Sequence, residues 1–175
     1  MPVRRPPQVV LDAVGTLARL GLAAVWLVSG ALKISDPGQT YIAVQAFDVL
    51  PDGIVRPVAI GMPIVELALG LLLLAGFVTR WVSVLSVLLL AVLIAAIAQS
   101  WARGLSIDCG CFGGGGQIAA DQTQYPQEIA RDLGFALLGV WLIVRPRTWL
   151  SVDGWLGNSG APADDDYVGI AEGNE

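Results

Sequence analysis

The stretch that decides the fold runs from Ile54 to Ala98. It reads IVRPVAIGMPIVELALGLLLLAGF over 54–77, turns through Val78-Thr79-Arg80, and resumes as WVSVLSVLLLAVLIAAIA over 81–98. A helix crosses a bilayer in about 20 apolar residues, and each run has that length. The first carries only Arg56 and Glu66 as charges and the second carries none. Two such runs joined by so short a link must double back as antiparallel helices.

Working outward, Gly15 to Ile34 and Pro126 to Val144 supply two more stretches of spanning length. The composition agrees: 55% of the 175 residues are hydrophobic, 14% are charged, and the mean hydropathy is +0.67. These values lie outside the soluble globular range. The sequence predicts an all-α integral membrane protein, a four-helix bundle over 15–148 preceded by a cytoplasmic segment (1–14) and followed by an acidic tail (149–175). The first stretch is long and no small-residue cleavage site follows it, so it reads as a retained span rather than a signal peptide.

Arginine placement orients the bundle, because short loops rich in Arg and Lys stay in the cytoplasm. Arg4, Arg5 and Arg19 precede or open the first span, Arg80 sits in the turn between the second and third, and Arg145 and Arg147 follow the fourth. With four spans both termini lie inside the plasma membrane, and the 99–125 loop lies outside. The tail is rich in small residues and contains Asp164-Asp165-Asp166 without apolar periodicity, which predicts a disordered solvated segment. Between the first two spans, Ile42, Phe47 and Leu50 share one helical face after the turn Asp36-Pro37-Gly38, predicting a short interfacial helix over Gln39–Leu50.

The two cysteines of the chain, Cys109 and Cys111, occupy the extracytoplasmic loop as Ile107-Asp108-Cys109-Gly110-Cys111-Phe112-Gly113. Residues i and i+2 bring their Cα atoms within disulfide range, and Gly110 permits the turn between them. A ring this small gains little by constraining the unfolded chain, so exchange chemistry suits it better than stapling. Disulfides persist outside the cytoplasm, where the loop is placed. The following Gly113-Gly114-Gly115-Gly116 reads either as a hinge that opens the loop or as a plain linker.

Charges gather toward the same side. Glu66 lies within the second span, where an unpaired carboxylate is costly. Lys33, the chain's single lysine, ends the first span and has a stem long enough to reach inward. Arg103 leaves the third span near the cysteines, and Arg131 with Asp132 lies early in the fourth. A guanidinium from Arg103 or Arg131 beside the thiols would favour the attacking thiolate, and Glu66 or Asp108 would handle its proton. The bland alternative is that Lys33 and Arg103 anchor helix ends while Glu66 pairs with a cation to hold the bundle.

The absence of histidine removes imidazole as base or metal ligand. Two cysteines underfill a tetrahedral zinc site, so no metal is expected. The few basic residues and net charge of −5 argue against nucleic acid as a partner.

The pieces Ser29-Gly30-Ala31-Leu32-Lys33, Pro63-Ile64-Val65-Glu66-Leu67-Ala68-Leu69-Gly70, Arg103-Gly104, Asp108-Cys109-Gly110-Cys111-Phe112-Gly113 and Arg131-Asp132 together resemble the MauE family of methylamine-utilisation membrane proteins, related to DoxX-like proteins. The resemblance covers Arg19 to Val144. Where that family often has Arg-Asn at the start of the last helix, this chain has Arg131-Asp132.

The resemblance implies a four-helix bundle that forms or handles disulfides outside the cytoplasm with a thioredoxin-like partner. Its layout is similar to quinone-linked thiol oxidoreductases of the vitamin K epoxide reductase type, at the level of fold analogy. A quinone would fit as electron acceptor, although this chain lacks their Cys-x-x-Cys spacing and a second pair. Three functions stay open: a membrane thiol–disulfide oxidoreductase working through Cys109 and Cys111, an accessory subunit of a larger membrane redox complex with a structural disulfide, and a small-solute carrier built around Lys33, Glu66 and Arg131.

Overall fold

The computed structural model describes residues 6–146, together with 148 and 152; the acidic tail expected over 149–175 falls almost wholly outside these. Among the described residues the chain forms α1 (Pro6–Ser35), α2 (Pro37–Ala46), α3 (Asp52–Ala75), α4 (Thr79–Ala102), a two-stranded ribbon of β1 (Ile107–Asp108) and β2 (Gly116–Gln117), a 3-10 turn at Ala120–Gln122, and α5 (Tyr125–Val144). The four long helices pack as a bundle, and α1, α3 and α4 are long and apolar enough to cross a membrane. At 1.5 Å per residue α5 spans about 30 Å, but Glu128, Arg131 and Asp132 interrupt its first two turns, so its uncharged part is only its second half.

Local chemistry sets the boundaries. The first helix is described from Pro6, nine residues before the expected span. Residues 6–14, expected as an N-terminal segment, are therefore helical. The second helix also starts earlier than expected. Asp36 caps it by accepting from Gln39 N at 3.0 Å with Pro37 in the first turn, so the presumed turn residues are a helix start. It ends before Asp48, whose φ of 49° leaves the helical region.

The helix α3 closes on left-handed Gly76. Phe77 N donates to the Leu72 carbonyl and Gly76 N to Leu73, a Schellman closure that reverses the chain directly into α4.

The most extensive packing joins α1 to α3 and α4 to α5, with α1 also meeting α5. Glycines let the backbones approach. A Cβ on Gly70 would lie 2.7 Å from Leu27 Cγ and 3.0 Å from Leu27 N, and one on Gly139 would lie 2.6 Å from Val87 Cγ2. By contrast Gly61 and Gly134 face open space. Between the pairs, Leu22, Trp26, Leu69, Leu73, Leu90 and Leu142 form the core, and Trp26 Nε1 donates to Ser86 Oγ at 3.0 Å to tie α1 to α4.

The short helix α2 buries Thr40 and Ala43, while Ile42 is half exposed. Its inward face is thus set by what lies beneath it, the cysteine loop, rather than by the Ile42, Phe47 and Leu50 alignment.

Gly70→Val should lower the stability of the lipid-embedded protein by about 1–3 kcal/mol, the usual cost of overpacking. Gly61→Val should leave it near wild type. Thermal unfolding of both variants in the same lipid checks the contrast.

Candidate functional site

The ribbon β1–β2 pairs Ile107 with Gln117 and Asp108 with Gly116, and Cys109 to Gly115 form its tip. Its base is anchored: Ile107 N donates to Tyr125 Oη at 3.0 Å, Tyr125 Oη donates to the Leu105 carbonyl, and the Tyr125 ring stacks on Trp101. At the tip, Asp108 Oδ1 accepts from Gly110 N at 3.2 Å, an Asx-type turn that folds the two cysteines back on each other.

The tetraglycine is a built turn rather than a loose linker. Gly113 to Gly116 all have φ between 75° and 101°, which side chains other than glycine rarely adopt. A Cβ on Gly115 would stand 2.6 Å from Ala43 Cβ and one on Gly110 2.9 Å from it, so the loop seats directly against α2. Gln39 Nε2 donates to the Gly115 carbonyl at 2.6 Å and fixes the contact.

Beneath this cover Cys109 and Cys111 are free thiols, each 7% exposed, with sulfurs 2.7 Å apart. Arg131 Nη2 donates to Cys109 Sγ at 3.7 Å while Arg131 Nε donates to Asp132 Oδ1 at 3.1 Å. The guanidinium also lies 4.9 Å above the centre of the Phe112 ring, which meets Phe135 edge-on. The two thiols consequently differ. Hydrogen bonding between the sulfurs, helped by Arg131, holds Cys109 below the ordinary thiol range against the opposing effects of burial and Glu128. The same sulfur contact, burial and the neighbouring Cys109 charge push Cys111 well above it. Of the two, Cys109 is the sulfur whose surroundings favour the thiolate.

Behind Cys111 stands a buried ion pair. Lys33 Nζ donates to Glu66 Oε1 at 2.6 Å, with both side chains less than a tenth exposed. Ser29 Oγ accepts from Lys33 Nζ at 2.7 Å and presents its proton to the Cys111 carbonyl (2.8 Å) and Glu66 Oε2 (3.0 Å). Glu66 thus lies against the lysine at the end of the first span, and the pair reaches the cysteine loop through Ser29.

Of the two arginines read as alternatives beside the thiols, Arg131 is in place. Arg103, at the exposed end of α4, instead binds Asp48 through its carboxylate (2.5 Å) and carbonyl (3.0 Å), joining α4 to the α2–α3 link. Asp108 shapes the turn, and Asp132 is buried with Oδ1 on Arg131.

Sequence reasoning passed over Ser29 and Glu128. Glu128 is buried, its Oε1 accepting a long 3.5 Å bond from Cys109 N, while Oε2 has no hydrogen-bond partner. The signal was available: 128, 131, 132 and 135 fall on one helical face, so the face carrying Arg131 also carries Glu128. Asp108, Cys109 and Glu128 bring ligand atoms within 4.8 Å of one another, a grouping able to hold a divalent ion, although the Arg131 cation already contacts its sulfur.

A helical membrane bundle that holds two free thiols in contact, one beside a guanidinium and the other carried on a buried ion pair, defines an all-α membrane protein with a paired-thiol centre. The chain belongs to the family described as methylamine utilisation protein MauE, whose model matches residues 11–145. It is 36% identical over 98 residues to the methylamine utilization protein MauE of Paracoccus denitrificans, covering 55% of this chain and 53% of that one. The chain thus spans about half the length of the curated relative it matches. No solved structure matches it.

In the reduced protein a small uncharged alkylating agent should modify Cys109 first, with a pH midpoint below the ordinary thiol range. Arg131→Gln should raise that midpoint and slow modification at neutral pH by roughly three- to tenfold, since one pKa unit is a factor of ten in thiolate. Mass-resolved alkylation across pH reads both. Glu66→Ala should destabilise the protein by roughly 3–5 kcal/mol by stranding Lys33, whereas Lys33→Met with Glu66→Leu should recover most of the loss. Thermal unfolding in lipid compares the three forms.

Proposed function

We propose that this protein is a multi-pass plasma-membrane thiol–disulfide oxidoreductase whose Cys109–Cys111 pair lies on the extracytoplasmic side, with both termini cytoplasmic. The observation that carries the reading is the contact between two free, unequal thiols with Arg131 on one of them. A structural staple needs no differentiated thiols, whereas exchange needs one attacking thiolate and one resolving thiol.

In the exchange, the Cys109 thiolate attacks a partner disulfide. A Cys109–partner S–S bond forms, the partner's own S–S bond breaks, and one partner sulfur leaves as thiolate. Cys111 then attacks Cys109 sulfur, the second partner sulfur leaves with the same electron count, and the Cys111 proton goes to the departing thiolate. Run in reverse, the Cys109–Cys111 disulfide oxidises a partner dithiol. The partner is an extracytoplasmic redox protein of thioredoxin-like type, and the family description, methylamine utilisation protein MauE, supports methylamine utilisation as the setting. Glu128, with an unpartnered carboxylate oxygen beside Cys109, is the group positioned to exchange its proton.

A second reading is favoured by one feature. Both sulfurs are almost wholly covered from solvent by α2 and the glycine turn, as in an accessory subunit whose cysteines serve assembly of a larger membrane complex.

The two readings separate on single substitutions. For an oxidoreductase, Cys111→Ser should accumulate a mixed disulfide through Cys109 and Cys109→Ser should trap none, with the partner's disulfides lost in both. If instead both variants lower only the amount of assembled complex, and the surviving complex keeps full function, the pair is structural. Non-reducing electrophoresis of cells carrying each variant, followed by mass spectrometry of any adduct, makes the distinction.

A further inference from the structure

The thiols are nearly covered on the loop side, yet they line a cavity on the side of the helices. A cavity of about 460 Å³, within the range of small-molecule and cofactor sites, runs through the bundle with Cys109 and Cys111 in its wall. Its outer walls are Gly61 and Val65 of α3 and Val92 and Ala96 of α4. Although a tight turn joins them, α3 and α4 touch far less than α1 and α3 or α4 and α5, and the cavity occupies the gap. Val65 and Val92 are 42% and 68% exposed on these membrane-spanning helices, so the gap opens sideways into the hydrocarbon.

The inner end has a different character: the two cysteines, Ser29, Lys33 and Asp132 meet there, with the rings of Trp26, Phe112 and Phe135 alongside. An occupant must therefore reach the site through lipid, carry an apolar body, and present a polar or aromatic head to a dithiol.

We propose that this cavity admits a membrane quinone, which enters between α3 and α4 and takes electrons directly from the Cys109–Cys111 dithiol. This rests on the oxidoreductase reading and gives it a direction. The balance closes: the Cys111 S–H bond breaks, one S–S bond forms with the Cys109 thiolate, and the two electrons, the Cys111 proton and one proton from water convert the quinone to its hydroquinone. The resulting disulfide then oxidises a partner dithiol. The small polar end matches a quinone head, whose oxygens accept hydrogen bonds and then protons, and the apolar remainder matches an isoprenoid tail.

The test uses the full-length protein, reduced and freed of reductant in lipid nanodiscs, with decylubiquinone and separately menadione as oxidants. Hydroquinone formation is followed by absorbance and thiol loss by mass tagging. The small disulfide 4,4′-dithiodipyridine serves as a tailless oxidant that tests whether the pair can be oxidised at all.

Equimolar hydroquinone and disulfide are expected from at least one quinone, with a rate that saturates in quinone. Gly61→Trp fills the cavity from a position where an added side chain meets open space, and Ala96→Phe fills it from the opposite wall. Each should slow quinone reduction about tenfold or more, while leaving the reaction with dithiodipyridine unchanged.

The proposal is overturned if the dithiol reacts with dithiodipyridine but with neither quinone. A quinone rate that stays linear in quinone, or ignores both substitutions, overturns it as well. A pair inert to quinones and dithiodipyridine alike would bring down the oxidoreductase reading with it.

Discussion

The architecture around the thiols depends on the buried ion pair between Lys33 and Glu66. A lysine and a carboxylate withdrawn from water are tolerable only when each has the other and the remaining polar atoms find partners. Here Ser29 takes up that remainder, accepting from Lys33 and offering its proton to Glu66 and to the carbonyl of Cys111. One polar cluster thus fastens α1 to α3 and both to the cysteine loop. The helices supply the depth that makes the pair strong, and the pair gives the loop a fixed seat.

The loop is held equally firmly from above. Successive glycines with left-handed backbone let it double back under α2, and Ala43 presses where any side chain on Gly110 or Gly115 would stand. The same arrangement encloses the sulfurs, so their chemistry is governed by neighbours rather than by solvent. The sulfur contact, helped by Arg131, favours charge on Cys109, and the same contact together with burial disfavours it on Cys111. The same closure that covers the sulfurs sets them apart, and a cavity between the helices still reaches them.

Much of this was legible in the chain. Apolar runs of spanning length around 54–98 leave an antiparallel helix pair as the natural solution, and the depth of Glu66 demanded a cation that the chain's single lysine supplies. The adjacency of Cys109 and Cys111 follows from spacing. The start of α2 was less legible, because Asp36-Pro37 reads equally well as a chain break and as a capped first turn. Arg103 and Arg131 could not be ranked, since both lie close to the cysteines along the chain. Space decides between them, with Arg131 facing inward from α5 and Arg103 drawn outward to Asp48.

The sequence by itself determined a helical membrane protein, a thiol pair in the loop before the last long helix, and a buried carboxylate in need of a partner. Each follows from local composition or from residues near one another in the chain, where hydrophobic length and desolvation leave little freedom. Only the tertiary structure decided that Ser29 joins the ion pair to Cys111, that Glu128 and Arg131 flank Cys109, that the glycine run is a packed turn, and that α3 and α4 part to leave a cavity reaching the sulfurs. These depend on how separate helices rotate and approach, which is set by contacts such as Gly70 on Leu27 and Gly139 on Val87. Close packing at points remote in sequence selects one rotation from many that the hydrophobic pattern alone would allow.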